Sequence, residues 1–200
     1  MLVVISSPTA VADEATIINV LFDEGLEVLH LRKPDITIDK MRSLLEKIKP
    51  QYYHQIALHQ HHEVANDFGT NRLHYTEVNR KNSPLLRRGA GGEEILSTSI
   101  HQIEEYKNLS NLFDYTFLGP VFDSISKPGY TSTLSDDFVF PIEAGRPKVI
   151  AIGGIDSTNI QKAMRMNFSG VAILGTIWSK PEESVSQFKI LQKAWEQAGR

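Results

Sequence analysis

Short apolar runs alternate with amphipathic stretches along the 200-residue chain. The runs have the length of buried strands, and several stretches between them, such as 38–48, place apolar residues at helical spacing. We predict eight strands, at 2–6, 28–33, 55–60, 72–77, 94–100, 115–122, 148–154 and 170–178. Eight strands joined by crossover helices close most simply into a (β/α)8 barrel, so we predict one α/β TIM-barrel domain over 1–200. The alternative is an open, doubly wound sheet, which we disfavour because the first loop has no G-x-G-x-x-G motif.

Two of the predicted helices carry local start signals. Asp156 and Ser157 predict a cap for the helix after strand seven, and Ser179 and Glu182 have the spacing of a capping box before the last helix. Residues 78–93 lack such regularity and are rich in Asn, Arg and Gly. We therefore expect a loop with little helix in that region.

Composition narrows the class of ligand. The net charge is −3 and no basic block is present, so nothing indicates nucleic-acid binding. The chain has no Cys, which excludes a disulfide framework and a thiolate metal site. No segment approaches the ~18 consecutive apolar residues of a membrane span, and the N-terminus lacks the basic region of a signal peptide. We expect a cytoplasmic protein that binds a small molecule, with its oligomeric state left open.

Polar residues collect where the predicted strands end, which is where the active site of a (β/α)8 barrel lies. Their side chains offer imidazole, guanidinium, ammonium and hydroxyl groups. They are His30, Arg32, Lys33, His74, Ser99, His101, Ser124, Ser126 and Lys127. This set predicts an anionic, phosphorylated ligand.

Glycine turns follow the last two predicted strands. Gly153 and Gly154 end strand seven, and Leu174 and Gly175 end strand eight. Glycine lets an anion approach the backbone N–H groups closely, and phosphate in such barrels often sits between these two loops. We predict a phosphate-binding site there.

Five segments together resemble the thiamine phosphate synthase / TenI family, in order along nearly the whole chain. They are VLHLRKPD (28–35), LSTSIHQIEE (96–105), FLGPVFDSISKPGYTS (117–132), VIAIGGIDSTNIQKA (149–163) and GVAILGTI (170–177). The resemblance implies a (β/α)8 barrel that handles thiazole phosphate in thiamine biosynthesis. It assigns the glycine turns to the thiazole phosphate.

The resemblance also implies contacts for a pyrimidine pyrophosphate. Arg32 matches the arginine of a Q-x-R-x-K motif, His30 stands in place of its glutamine, and Lys33 lies beside the position of its lysine. Segment 124–127 keeps the hydroxyls and ammonium of a T-x-T-K loop, and Ser99 with His101 matches an S-x-H motif. These residues are therefore expected to contact substrate.

The metal ligands implied by the resemblance are replaced in this chain. Gln60 and Asn79 stand where the synthases have two Asp ligands for Mg²⁺, and neutral amides are poor ligands for that ion. His59 and His61 share a strand face, but no carboxylate third ligand is evident. We expect no cofactor and no metal site.

These replacements favour a TenI-like thiazole tautomerase, which needs no metal. The catalytic His of that branch is replaced by Pro120, so His101, His30 and then His74 are the candidate bases. A thiamine phosphate synthase, which joins pyrimidine pyrophosphate to thiazole phosphate, is the first alternative. A non-catalytic binder of thiazole or thiamine phosphate, with a regulatory role, is the second.

Overall fold

Eight parallel strands close into a barrel in the computed structural model, which describes residues 1–82, 94–123, 132, 134, 135 and 137–199. Each strand pairs with its neighbours in chain order, and β8 pairs with β1. The strands are β1 (Leu2–Ile5), β2 (Val28–Leu31), β3 (Ile56–Leu58), β4 (Arg72–Tyr75), β5 (Ile95–Ile100), β6 (Tyr115–Leu118), β7 (Lys148–Ile152) and β8 (Gly170–Ile173). The predicted TIM-barrel fold and the presence of eight strands are confirmed. The predicted extent of the eighth strand, 170–178, is wrong beyond Ile173, because Gly175–Trp178 form a short helix.

Helices lie between most of the strands, although the described residues between β6 and β7 contain none. They are α1 (Glu14–Asp23), α2 (Ile38–Leu45), α3 (Ala65–Phe68), α4 (Glu77–Asn82), α5 (Ile103–Tyr106), α6 (Ile160–Arg165), α7 (Gly175–Trp178) and α8 (Ser184–Ala198). Short 3₁₀ turns occur at Pro50–Gln55, His62–Val64 and Pro181–Glu183. In the same residues, no helix is long and apolar enough to cross a membrane.

Two expectations about helix ends are wrong. The region 78–93, expected to be a loop with little helix, starts within α4, and because 83–93 lies outside the described residues that expectation stays a prediction. Helix α6 begins at Ile160 because the Asp156 carboxylate accepts hydrogen bonds from Thr158 in a turn instead of capping the helix. The last helix begins at Ser184, after a 3₁₀ turn.

The helices cover the outside of the barrel with apolar side chains. Ile18 of α1, Met41 of α2 and Phe188 of α8 are fully buried in this outer layer. Burying a side chain of this size contributes about 1.5–3 kcal/mol. The strands appear in the sequence as continuous apolar runs because these helices bury their outward-facing residues as well.

The interior of the barrel is divided into an apolar and a polar part. Side chains alternate along a strand, and one set of inward residues is apolar: Val3, Ile5, Phe117, Ile150 and Ala172. The inward residues of β2 to β5 include His30, His74 and Ser97, each at most 1% exposed. This polar part lies directly below the carboxyl ends of the strands that carry most of the predicted site residues.

Candidate active site

A histidine cluster occupies the polar part of the barrel. His30 comes from β2, His59 directly follows β3, and His74 comes from β4, so three neighbouring strands supply one imidazole each. His30 Nδ1 lies 2.9 Å from His59 Nε2, and its Nε2 lies 2.7 Å from the Tyr115 hydroxyl. The rings of His59 and His74 stack with centroids 3.9 Å apart. Two of the three predicted catalytic residues, His30 and His74, therefore lie together.

Serine hydroxyls hold the third imidazole of this cluster. His74 Nδ1 lies 3.0 Å from Ser97 Oγ, and His74 Nε2 lies 3.1 Å from Ser99 Oγ. Ser97 Oγ in turn donates to the Leu73 carbonyl at 3.4 Å. Ser99, predicted to contact substrate, thus has a hydrogen-bonding partner within the protein.

Burial keeps these imidazoles neutral. Loss of water contact is the main cause that holds the pKa of His30 and that of His59 well below the ordinary histidine value. The same cause lowers the pKa of His74 to about 3, with a further contribution from the Arg32 guanidinium. Burial also raises the pKa of Tyr115 to about 12, so its hydroxyl keeps its proton. At neutral pH the cluster offers uncharged nitrogens.

Strand β2 places two cations at the rim in different ways. The backbone of Arg32 exchanges hydrogen bonds with Ser6 Oγ, and its half-buried side chain lies close enough to His74 to affect that pKa. Lys33 is 5% exposed, and its ammonium donates to both carboxylate oxygens of Glu14 at 2.7 and 2.6 Å and to the Thr9 carbonyl at 2.8 Å. Substrate contact by Lys33 stays a prediction, whereas the ion pair gives it a structural partner.

The glycine turn after β7 is fixed by the neighbouring loop. Gly153 has φ of 94° and Gly154 has φ of 64°, a region that favours glycine. A Cβ on Gly153 would lie 2.8 Å from Pro120 Cα, and one on Gly154 would lie 2.4 Å from the Asp123 carbonyl oxygen. Close backbone packing therefore accounts for both glycines, and their predicted contact with phosphate remains a prediction.

The turn after β8 opens directly into a short helix. Leu174 precedes α7, which begins at Gly175, and the Thr176 hydroxyl donates to the Ile155 carbonyl at 2.8 Å. This bond joins the loop after β8 to the loop after β7. The two turns predicted to bind phosphate are thus neighbours at the rim.

His101 lies apart from the other two predicted bases. It is exposed and lines a groove of about 670 Å³ between α4 and α5, with Arg80 and Glu105 among its neighbours. Its backbone N–H donates to Glu105 Oε1 at 2.9 Å. The structure brings His30 and His74 together in the barrel interior and leaves His101 outside it.

The remaining predicted residues divide into two groups. Ser124, Ser126 and Lys127 lie outside the described residues. At the positions implied for Mg²⁺, Gln60 Oε1 accepts the Lys33 backbone N–H at 3.0 Å, and Asn79 is exposed on α4. The Gln60 oxygen already accepts a hydrogen bond, and the Asn79 amide is neutral and exposed. Neither fits Mg²⁺, which prefers carboxylate and phosphate oxygens. That the protein needs no cofactor stays a prediction.

The predicted site residues omit three side chains that shape the site: His59, Tyr115 and Glu14. His59 and Tyr115 share the inward face of their strands with His30, a relation that alternation along each strand could have revealed. Glu14 lies on α1 and meets Lys33 only through the packing of that helix on the barrel. No local signal identifies it.

A closed eight-stranded barrel with polar groups at the carboxyl ends of its strands defines a TIM-barrel enzyme scaffold. Within that class, the family model described as thiamine monophosphate synthase matches residues 2–177. The chain belongs to this family. The predicted resemblance is confirmed.

Individual relatives agree with this family. The thiamine-phosphate synthase of Clostridium tetani is 25% identical over 164 residues, which cover 79% of this chain and 77% of the relative. A crystal structure of thiamine phosphate pyrophosphorylase from Bacteroides thetaiotaomicron is 26% identical with a TM-score of 0.76, covering 98% of this chain and 97% of that one. The pyrophosphorylase from Pyrococcus furiosus is 17% identical with a TM-score of 0.75, covers 98% of this chain and 96% of that one, and supports the fold alone.

Proposed function

We propose that the protein is a thiamine phosphate synthase, which joins a pyrimidine pyrophosphate to a thiazole phosphate and releases pyrophosphate. The observation that carries the proposal is the similarity over most of the chain to proteins named for this reaction. This reverses the ranking favoured by the sequence, in which a TenI-like tautomerase came first. The name of the family model includes both branches, whereas the individual relatives are named for the synthase reaction; the site gives a second argument.

The histidine cluster supports the synthase over the tautomerase. A tautomerase must remove and return a proton, and an effective base has a pKa near the working pH. Burial instead holds the pKa of His30 well below the ordinary value and that of His74 at about 3. Pro120 stands at the position of the family's shuttle residue, and His101 lies outside the barrel. None of the three candidate histidines therefore combines a place in the barrel interior with a pKa near neutral pH.

The rim supplies features suited to the synthase reaction. The thiazole nitrogen forms a bond to the methylene carbon of the pyrimidine, and the carbon–oxygen bond to pyrophosphate breaks, leaving both electrons on that oxygen. In this proposal Arg32 binds the departing pyrophosphate, because a guanidinium forms paired, charge-assisted hydrogen bonds with phosphate oxygens. The glycine turns after β7 and β8 hold the thiazole phosphate.

A substrate comparison tests the proposal. The protein is incubated with thiazole phosphate carboxylate alone and, separately, with pyrimidine pyrophosphate and thiazole phosphate together. We expect thiamine phosphate in the second incubation and no conversion of the carboxylate to its aromatic tautomer in the first. Tautomer formation without thiamine phosphate would overturn the proposal in favour of the isomerase.

A further inference from the structure

The three buried imidazoles of the barrel interior are close enough to share one ion. His30, His59 and His74 each have a ring nitrogen within 4.8 Å of the others. They come from adjacent strands of a rigid sheet and are at most 4% exposed. The proposed synthase reaction assigns no role to this arrangement.

We propose that His30, His59 and His74 form a binding site for a divalent transition-metal ion, with Zn²⁺ the best match. The site differs from the family's magnesium site in position and in ligand type. It is independent of whether the protein is a synthase.

The donor set selects the kind of metal. Neutral imidazole nitrogens are good ligands for Zn²⁺, Co²⁺ and Ni²⁺, whereas Mg²⁺ takes oxygen ligands. Three protein nitrogens leave one position of a tetrahedral ion for water or an anion.

The spacing requires only small movements of His30 and His59. A zinc–nitrogen distance of about 2.0–2.1 Å places two nitrogens of a tetrahedral site roughly 3.3 Å apart. His30 Nδ1 and His59 Nε2 are now 2.9 Å apart and share one proton in a hydrogen bond. With the proton of His30 on Nε2 instead of Nδ1, that N–H donates a hydrogen bond to the Tyr115 hydroxyl oxygen 2.7 Å away, and His30 Nδ1 and His59 Nε2 both become available as ligands.

His74 must undergo the larger change. A metal ion lies near the plane of each imidazole ligand, so the His74 ring has to rotate out of its stack on His59, where the ring planes are now 20° apart. With its proton on Nδ1, His74 donates to Ser97 Oγ 3.0 Å away, and this bond orients the ring in the way that second-sphere partners of metal ligands do. Ser99 competes with the metal because its hydroxyl occupies His74 Nε2 at 3.1 Å.

Cobalt titration of the whole, chelator-treated protein tests the proposal. Four-coordinate Co²⁺ with nitrogen ligands gives visible absorption bands, and Zn²⁺ should displace it. We expect one Co²⁺ per chain, loss of the bands on addition of Zn²⁺, and no displacement by Mg²⁺. Absence of a one-to-one four-coordinate signal, or equal competition by Mg²⁺, would overturn the proposal.

Two histidine variants locate the ion. His59→Asn removes a ligand and should weaken Co²⁺ binding at least about a hundredfold, since even second-sphere changes cost 10–100-fold. His54→Asn is the control, because His54 is exposed on the 3₁₀ turn before β3. Circular dichroism shows whether each variant is folded. Equal affinity in folded His59→Asn and His54→Asn contradicts the site.

Ser99→Ala provides a test that does not remove a ligand. The variant frees His74 Nε2 from its hydroxyl partner, so Co²⁺ should bind more tightly than to the unaltered protein. Unchanged or weaker binding would contradict His74 as a ligand. Tighter Co²⁺ binding by Ser99→Ala, together with weaker Co²⁺ binding by His59→Asn, supports the three-histidine site.

Discussion

Lys33→Met should destabilise the protein strongly, because it leaves the Glu14 carboxylate buried without its cation. The two side chains are each 6% exposed and the ammonium lies 2.6 Å from the carboxylate. Removing one member of a buried pair costs about 3–5 kcal/mol. Replacing both, as in Glu14→Leu with Lys33→Met, removes the unpaired charge and should restore most of that loss.

The pH dependence of the loss follows from the Glu14 carboxyl. Burial raises its pKa against the opposing attraction of Lys33, so removing Lys33 raises the pKa further. Below the ordinary glutamate value both the folded and unfolded states carry the proton, and the raised pKa has no effect. Between the ordinary and the raised value the folded state holds its proton longer, so the free energy of unfolding falls by up to about 1.4 kcal/mol per pH unit as pH rises.

Urea unfolding at about pH 5 and about pH 7.5 measures the loss of stability and its pH dependence, provided that the dependence of the unfolding free energy on urea concentration has the same slope in every variant. Lys189→Met is the control, since its ion pair with Glu24 is exposed and should contribute only about 0–1 kcal/mol. We expect the Lys33→Met deficit, measured against the double variant, to be larger at the higher pH. A deficit below about 1 kcal/mol, or one equal at both pH values, would refute the ion-pair reasoning.

Three further changes probe the rim. Gly154→Ala should lower the free energy of unfolding, measured with urea, by more than about 3 kcal/mol, and Gly69→Ala by only about 1–2 kcal/mol. Both glycines have φ of 64°, but of the two only Gly154 faces a carbonyl oxygen, 2.4 Å from the added Cβ. Gly175→Glu should abolish thiazole-phosphate binding in calorimetry, and unchanged affinity in the folded variant would place the anion elsewhere. Arg32→Met should lower kcat/KM for thiamine phosphate formation roughly 10- to 100-fold, because losing a charged hydrogen bond costs about 1.5–3 kcal/mol. Arg42→Met is the control, since the Arg42 side chain is exposed. Equal kcat/KM values for the two variants would exclude the role assigned to Arg32.

The strands were predictable because their residues are buried on both faces, which produces continuous apolar runs. The predicted ends extend past the observed ones at every strand except β5. At β2 and β6, for example, the chain leaves the sheet but remains partly buried at the rim. Apolar character therefore does not mark the last hydrogen-bonded residue. The helix starts at Asp156 and Ser179 were wrong because a cap residue also forms turns, and local sequence does not separate the two.

The site was predictable in its location but less so in its contacts. The rule that strand ends form the site placed His30 and His74 in one region, and the structure brings them together. The ion pair between Lys33 and Glu14 depends on how α1 packs, which no pattern along the chain contains. The neutral state of the imidazoles likewise depends on burial in the closed barrel, and this burial changes the functional interpretation.

The synthase proposal is tested most directly by measuring the products of one incubation. Pyrimidine pyrophosphate and thiazole phosphate are mixed with the protein, with Mg²⁺ and with a chelator in parallel, and thiamine phosphate and pyrophosphate are quantified by chromatography. The account predicts that both appear in equal amounts in at least one of the two conditions, and that neither appears without protein. Recovery of both substrates unchanged in both conditions, with a folded protein that binds thiazole phosphate, would contradict it.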